Sequence, residues 1–302
     1  MELLYWLESI RNPVLDGFFS AITYLGSEIV FMILALAIYW CISKSQGLYL
    51  LSVGCLGTTL NQFLKITCRI PRPWVRDPDF TIVESARADA TGYSFPSGHT
   101  QNAVGTFGCL AVDARRPWLR VVLIVLAVLT AFSRMYLGVH TPWDVGAAAV
   151  MAVVLIFALR PLFRDADVHP RRMLAILGIL GLLNVAFLAY ALCWSFPADA
   201  DPVQLAHGAE NAAKLTGALI GMALGYWLDW KKVRFTTAAP LLGQILKLSL
   251  GMVLLLAIKS GLKLLLGGSL WAGALRYGLM TFFAAGLWPM TFPWFARLGK
   301  KG

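Results

Sequence analysis

The chain has 302 residues, of which 58% are hydrophobic and only 14% are charged. Soluble domains carry about 25% charged residues, so this composition excludes an ordinary soluble protein and indicates one that crosses the membrane several times. The formal net charge is +10, but the basic residues lie mostly in short connections between apolar runs, which is typical of membrane orientation and not of nucleic-acid binding.

The N-terminal segment MELLYWLESIRNPVL predicts a short amphipathic helix that lies at the membrane interface. It carries acidic residues where a cleaved signal peptide carries basic ones, so we expect it to be retained. Nine apolar runs then predict nine transmembrane helices and an all-α, polytopic membrane bundle. The runs cover residues 24–42, 47–67, 97–113, 117–137, 142–161, 173–195, 210–230, 240–266 and 271–295.

Basic residues are concentrated on alternate connections between the predicted spans. These residues are Lys44, Arg115, Arg116, Arg120, Arg160, Arg164, Arg171, Arg172, Lys231, Lys232, Arg234, Arg297, Lys300 and Lys301. The other connections include the acidic sequence FPADADPV and the long segment 68–96. Because basic loops mark the cytoplasmic side, we expect a multi-pass protein of the cell membrane with its N-terminus outside and its C-terminus in the cytoplasm.

Three polar stretches, KITCRIPRPW, YSFPSGHTQNA and SRMYLGVHTPWD, lie at the predicted outer ends of their spans. Their candidate functional residues are Lys65, Arg72, Ser97, Gly98, His99, Arg134, His140 and Asp144. Ends of separate helices on one membrane face can converge on one pocket. We therefore interpret these residues as one site.

Each of these residues also has a structural explanation when it is taken alone. Lys65 and Arg134 are placed to extend along lipid towards the interface, and Ser97 is a good helix N-cap. Thr141 and Asp144 form the pattern of a capping box. These separate explanations do not account for three cations, two histidines and one acid at one depth beside a helix N-terminus.

Together the residues have the chemistry of a phosphate site. The three cations supply a clamp for a compact anion, and the helix that begins at Ser97 supplies backbone N–H groups and the positive end of its dipole. Gly98 lets that backbone approach a ligand closely. A zinc site formed by His99, His140 and Asp144 is the competing interpretation, but three cations around a divalent metal argue against it.

Two histidines can divide the work of phosphoryl transfer. One attacks phosphorus while a carboxylate holds its tautomer, and the other protonates the leaving oxygen. His140 has Asp144 four residues further on as a candidate partner, whereas His99 has no such partner in the sequence and suits the role of the acid.

The spacing of these residues resembles the three-part signature of the type 2 phosphatidic acid phosphatase superfamily. The three parts are Lys65–x6–Arg72-Pro73, Pro96-Ser97-Gly98-His99 and Ser133-Arg134–x5–His140–x3–Asp144. That group includes lipid phosphate phosphatases, undecaprenyl-diphosphate phosphatases, glucose-6-phosphatases and vanadium haloperoxidases. The resemblance implies a phosphohistidine on His140, orientation by Asp144, acid and base catalysis by His99, and no metal or cofactor. It also implies that phosphate is held by Lys65, Arg72, Ser97, Gly98 and Arg134.

The resemblance implies a phosphatase core of six spans over residues 1–195, so residues 196–302 are expected to form a three-span extension that packs on this core.

Three glycines spaced four apart in the extension, Gly217, Gly221 and Gly225, predict close helix packing. Lys259, Lys263 and Arg276 lie near predicted outer helix ends, where they either extend to the interface or form a basic rim for an anionic headgroup.

We therefore expect a metal-independent phosphatase that acts on a lipid phosphate or diphosphate, of the undecaprenyl diphosphate or phosphatidate type, among membrane lipids. An enzyme acting on a soluble sugar phosphate, similar to glucose-6-phosphatase, is the alternative. A lipid or anion transporter is a remote alternative, because the few polar residues Asn61, Gln62 and Asn102 cluster near the site instead of following a path across the membrane.

Overall fold

The computed structural model describes residues 1–164 and 169–298, and no β-strand occurs in these ranges. The all-α class is therefore confirmed. Residues 165–168 of the predicted cytoplasmic loop, and the predicted cytoplasmic Lys300 and Lys301, lie outside the described residues. The α-helices are α1 (Glu2–Ser9), α2 (Pro13–Thr23), α3 (Glu28–Cys41), α4 (Lys44–Cys68), α5 (Pro73–Arg76), α6 (Gly98–Asp113), α7 (Pro117–Tyr136), α8 (Pro142–Phe163), α9 (Pro170–Cys193), α10 (Pro202–Leu228), α11 (Leu241–Leu266), α12 (Leu270–Phe282) and α13 (Phe292–Phe295).

Within the described ranges, four helices are long and apolar enough to cross a membrane, namely α7, α8, α9 and α11. A fifth span results if Pro13–Gly26 and α3, which are bent by 47° to one another, are counted together. Helices also form at the other predicted spans, but α6 has 16 residues and α12 has 13, while α4 and α10 carry polar side chains along part of their length. The count of nine transmembrane helices therefore stays a prediction.

The first predicted span differs from the structure at its start. The chain runs through a 3-10 turn at Tyr24–Gly26, and α3 begins only at Glu28. The last predicted span is not one α-helix, because a π-helical turn at Phe283–Leu287 and a 3-10 turn at Trp288–Thr291 follow α12. Pro289 lies in that last turn and lacks the N–H that a regular helix requires.

The chain forms two compact units, each assembled from separate stretches. The first unit contains Met1–Met32, Leu56–Leu159 and Ser195–Gly208, and it includes every predicted site residue. The second contains Ile33–Cys55, Arg160–Trp194 and the chain from Ala209 onwards. The predicted division into residues 1–195 and 196–302 stays a prediction.

In the first unit, the N-terminal helices pack beside the turn that follows α7. The buried apolar residues of this cluster are Leu4, Leu7, Phe19, Phe80, Ile82, Ala86, Tyr136, Leu137 and Val139. Arg11 strengthens the same junction, since its Nε donates to the Tyr136 carbonyl at 3.1 Å and its Nη1 donates to the Thr81 carbonyl at 2.8 Å. The N-terminal helices and Arg11 therefore hold residues 136–139, which lead directly to His140.

In the second unit, α10 and α12 pack with their backbones in close approach. A Cβ added at Gly217 would lie 1.9 Å from the Ala274 carbonyl oxygen, and one added at Gly221 would lie 1.9 Å from that of Gly278. The predicted close packing of this helix face is therefore confirmed. Of the three basic residues noted in the extension, Arg276 is buried, whereas Lys259 and Lys263 are exposed.

Candidate active site

Helix ends of the first unit place the predicted site residues. Lys65 lies in the last turn of α4, and Arg134 lies in the last turn of α7. His140 lies in the connection between α7 and α8, and Asp144 lies in the first turn of α8. These polar side chains thus lie at or beside helix ends, where backbone groups also lack partners within the helix.

The start of α8 is the capping box that the sequence indicates. The Thr141 N–H donates to Oδ2 of Asp144 at 2.7 Å, and the Asp144 N–H donates to Oγ1 of Thr141 at 3.3 Å. The same carboxylate oxygen accepts a hydrogen bond of 2.7 Å from Oγ of Ser94. Asp144 is therefore a cap and also a member of a buried polar cluster, so its role as a cap does not exclude the predicted functional role.

The His140 ring lies between a guanidinium and this carboxylate, and among the described residues only the guanidinium is within hydrogen-bond distance of a ring nitrogen. Its Nε2 lies 2.9 Å from Nη1 of Arg72, and its Nδ1 lies 3.6 Å from Oδ2 of Asp144. Arginine can only donate, so Nε2 accepts and the proton of the neutral ring resides on Nδ1, facing the carboxylate. The side chains of His140 and Asp144 are each only 2% exposed. This arrangement gives Nε2 the lone pair that a nucleophile needs.

The electrostatic environment favours the neutral form of this histidine. Burial, followed by the neighbouring charges of Arg72, Arg134, Lys65 and His99, lowers the pKa of His140 well below its usual value. Burial also lowers the pKa of Arg72 to about 10, against the opposing effect of Asp144. At neutral pH the imidazole is therefore unprotonated beside a guanidinium that still carries its charge.

Backbone carbonyls hold two of the cations. Arg72 donates through Nε to the Gly92 carbonyl at 3.0 Å, and through Nη2 to the Thr91 carbonyl at 2.6 Å. Its Nη1 also donates to the Val139 carbonyl at 2.9 Å. The ammonium group of Lys65 donates to the carbonyl of the next loop residue, Tyr93. The loop before α6 thus fixes both cations beside the histidine.

Arg134 is the third cation, and it is fully buried. Its Nη1 donates to Oγ1 of Thr23 at 2.7 Å. Its Nε and Nη2 have no hydrogen-bond partner in the part of the chain that the structure describes. Buried polar groups are normally paired, and two adjacent guanidinium N–H groups match two oxygens of one anion. Arg134 is therefore suited to bind phosphate.

The start of α6 completes the site. Oγ of Ser97 accepts from the Thr100 N–H at 3.4 Å, as an N-cap does. The Ser97 N–H donates to the Asp144 backbone carbonyl at 3.0 Å, which ties the start of α6 to that of α8. A Cβ added at Gly98 would meet only Oδ1 of Asn61, at 3.9 Å, so the backbone there is open to a ligand.

Several site residues were not predicted from the sequence. Thr23 and Ser94 bind Arg134 and Asp144, but no local pattern distinguishes them from other hydroxyl residues. Asn61 was noted only as a polar residue near the site. In the described structure, its Oδ1 and both side-chain polar atoms of Gln101 are buried without a hydrogen-bond partner. Long-range packing, which the sequence does not display, brings Thr23, Ser94 and Asn61 beside the predicted site residues.

Comparisons with known proteins match most of the chain to one superfamily. Residues 46–167 match the PAP2 superfamily, and residues 213–301 match the family described as PAP2 superfamily phosphatase, transmembrane extension. The second match, together with the long apolar helices, identifies an integral membrane protein.

Two relatives are named as phosphatases of lipid phosphates, and one solved structure is also similar. A probable sphingosine-1-phosphate phosphatase of Dictyostelium discoideum is 29% identical over 76% of this chain, which spans 57% of that protein's length. The undecaprenyl-diphosphatase BcrC of Bacillus subtilis is 32% identical over 53% of this chain and 79% of its own length. The crystal structure of Aquifex aeolicus LpxE is 26% identical, covers 53% of this chain and 93% of its own, and has a TM-score of 0.46.

The match to the undecaprenyl-diphosphatase covers most of that relative, and the family match includes the region in which all three motifs lie. The chain therefore belongs to the PAP2 superfamily, the type 2 phosphatidic acid phosphatases that its motifs resemble.

Proposed function

We propose that the protein is a membrane phosphatase that hydrolyses a lipid phosphate or diphosphate through a phosphohistidine intermediate, without a metal ion or another cofactor. The observation that carries this proposal is the buried His140 ring, whose Nε2 lies 2.9 Å from Arg72 while Nδ1 faces Asp144. A neutral imidazole beside three cations is suited to attack an anionic phosphate, because the cations offset the charge of the incoming group.

Phosphate binding uses the donors that surround this ring. The residues that bind the phosphate are Lys65, Arg72, Ser97, Gly98 and Arg134. Nη1 of Arg72 exchanges its contact with Nε2 for a phosphate oxygen, which frees the nitrogen lone pair. The N–H groups at the start of α6 bind further oxygens, helped by the positive end of the helix dipole.

In the first chemical step, Nε2 of His140 attacks phosphorus. A P–N bond forms, the bond between phosphorus and the leaving oxygen breaks, and its electron pair stays on that oxygen. His99 donates a proton to this oxygen, so the lipid leaves as a neutral alcohol or, from a diphosphate, as a monophosphate. Asp144 stabilises the positive charge on the phosphorylated ring.

In the second step, water takes the place of the leaving group. His99, now unprotonated, accepts a proton from the water as its oxygen attacks phosphorus. The P–N bond breaks, its electron pair returns to Nε2 of His140, and inorganic phosphate is released. Both histidines then have the protonation states with which they began.

The location of the site supports a lipid substrate. The site residues lie at ends of helices in a chain with several long apolar helices, so a headgroup can enter while its hydrocarbon chain stays in the bilayer. The relatives are named for sphingosine-1-phosphate and undecaprenyl diphosphate, which both carry phosphate on a long chain. We assign this face to the outer side, because the basic loops mark the opposite side as cytoplasmic.

The test is phosphate release by the purified full chain in detergent, with and without EDTA. The substrates are undecaprenyl diphosphate, phosphatidate, sphingosine-1-phosphate and glucose 6-phosphate. We expect release from at least one lipid with a kcat/KM well above that for glucose 6-phosphate, and no effect of EDTA. Equal efficiency on glucose 6-phosphate favours the sugar-phosphate alternative, and loss of activity in EDTA contradicts the metal-free mechanism. No release from any substrate contradicts the proposal as a whole.

A further inference from the structure

Helix α2 is bound to α7 along one face. Asp16 accepts a hydrogen bond of 2.7 Å from the Tyr136 hydroxyl. The centroid of the Phe19 ring lies 4.3 Å from that of Tyr136 and 5.5 Å from that of Phe132. Since residues three and four apart share a helix face, Thr23 is the next residue of α2 on the face that meets α7.

Thr23 contacts the guanidinium that has two unpaired donors. The residue is buried, and its Oγ1 accepts the 2.7 Å hydrogen bond from Nη1 of Arg134. A guanidinium is planar, so a hydrogen bond at Nη1 restrains the directions in which Nε–H and Nη2–H point. These two groups form the fork that matches two oxygens of one phosphate. The hydroxyl of Thr23 thus restricts the orientation of the fork of Arg134.

The turn after α2 also approaches the site. A Cβ added at Gly26 would lie 2.6 Å from the carbonyl oxygen of His99, so the chain passes directly against the first turn of α6. Thr23 and Gly26 precede the family match, which begins at residue 46. The N-terminal segment nevertheless contacts both the residue that binds phosphate and the turn that carries the acid.

We infer that Thr23 is a positioning residue for the phosphate-binding fork of Arg134, and that α2 is for this reason part of the catalytic unit. The inference rests on the proposed function, since it takes Arg134 as a phosphate ligand. Thr23 does not contact the phosphate but acts through Nη1. Without its hydroxyl, Nη1 loses a buried acceptor and the guanidinium plane is no longer held in one orientation.

The direct test compares Thr23→Val, which keeps the side-chain shape but removes the acceptor, with Thr23→Ser, which keeps the hydroxyl. The measurements are kcat, KM and inhibition by orthovanadate, an inorganic phosphate analogue, in the purified full chain. We expect Thr23→Val to lower kcat/KM by about 10- to 100-fold, the range for a hydrogen bond to a charged group. Vanadate inhibition should weaken by a similar factor, and Thr23→Ser should restore most of both.

Thr130→Val is the matched control. Thr130 is buried, and its hydroxyl donates to the Leu126 carbonyl of its own helix at 2.8 Å. Its Cγ2 would lie 3.0 Å from a Cβ added at Gly26, so it belongs to the same packed region. Removing this hydroxyl should leave kcat/KM and vanadate inhibition close to wild type. A loss as large as that of Thr23→Val would show a general packing defect and overturn the inference.

Variants of Arg134 separate this inference from the proposed function. If Arg134→Ala retains normal turnover, the proposed phosphate ligand is wrong. If Arg134→Ala is inactive while Thr23→Val has normal KM and vanadate inhibition, only the role of Thr23 is wrong. In an Arg134→Lys background, which lacks the fork, Thr23→Val should have little further effect, and a fully additive loss would overturn the inference. If Thr23→Val does not fold, Thr23→Ala gives the same comparison.

Discussion

Nη1 of Arg72 lies 2.9 Å from Nε2 of His140, the nitrogen that attacks phosphorus in the proposed mechanism. The contact has two effects, because the donor fixes the tautomer of the ring and its positive charge disfavours protonation. Arg72 therefore influences the nucleophile before any phosphate binds. The two effects can be separated by changing the charge of residue 72.

The first prediction concerns pH. Burial first, and then the charge of Arg72, lowers the pKa of His140 well below its usual value, so wild-type kcat/KM should hold as pH falls until His140 protonates. Arg72→Gln removes the charge, so the pKa of His140 should rise. The fall of kcat/KM on the acid side of the pH profile (the acid limb) should then move to higher pH. Arg72→Lys keeps the charge and should leave the limb close to wild type. The same substrate is used for all variants, so its ionisation affects every pH profile equally. An acid limb that is unchanged in Arg72→Gln would contradict the effect of Arg72 on the pKa of His140.

The second prediction is covalent labelling of His140. Wild-type protein quenched during turnover of a ³²P-labelled substrate should carry phosphate that is labile in acid and stable in base, as expected for phosphohistidine. His140→Ala should retain its fold but lose both label and turnover. His169→Ala, which changes an exposed histidine of the second unit, is the control and should label normally. Normal turnover by His140→Ala would rule out the proposed nucleophile.

The third prediction separates His99 from His140 by the leaving group. An alkoxide leaving group needs a proton, whereas an activated aryl oxide departs without one. General acid catalysis contributes about 10²–10⁴-fold, so His99→Ala should lose roughly this factor on a lipid monophosphate. The loss should be much smaller on an aryl phosphate, measured as kcat/KM for the two substrates. Equal losses on both would remove His99 from the acid role.

The fourth prediction is the sidedness of the active site. In a cysteine-free background, a single cysteine at the exposed position Asp79 should react with an impermeant maleimide added to intact cells. A cysteine at the exposed position Arg164 should react only after permeabilisation. The reverse pattern would place the site in the cytoplasm.

The fifth prediction tests the helix packing of the second unit. Gly217→Ala should lower the thermal midpoint of the purified protein, because its Cβ would lie 1.9 Å from the Ala274 carbonyl oxygen. Gly181→Ala in α9 is the control, because a Cβ there would meet no atom within 4 Å. Alanine is favoured over glycine in a helix by about 1 kcal/mol, so the control should be neutral or stabilising. Equal midpoints for the two variants would contradict the close packing.

The apolar runs of the sequence predicted where helices form better than they predicted where helices bend or end. The runs at 117–137 and 142–161 correspond closely to α7 and α8, because uninterrupted apolar residues leave the backbone no alternative to helix in hydrocarbon. The 47° bend before α3 and the π-helical turn after α12 were not predicted. Both lie inside apolar runs that are interrupted only briefly, by Gly26, Ser27 and Glu28 at the start of α3 and by Pro289 after the π-helical turn. These short interruptions were not enough to divide the predicted spans.

The candidate site was predictable where a residue type is needed by the chemistry itself. Two histidines, three cations and a carboxylate are recognisable in sequence because few other side chains can replace them. Supporting groups such as Thr23 and Ser94 contribute only a hydroxyl, which every serine and threonine of the chain carries. Their assignment needed the distances of 2.7 Å to Arg134 and to Asp144.

The backbone bond of 3.0 Å from Ser97 to Asp144 has a consequence for how substrate range and reactivity are related. In the proposed mechanism, His99 and His140 lie beside helix starts that are joined by main-chain atoms, so this connection depends on no side-chain contact. The side chains along the rest of α6 and α8 can therefore change in shape and bulk while the backbone bond between the two helix starts is kept. Under the proposed function, recognition of the hydrocarbon tail and cleavage of the phosphate bond can thus vary independently.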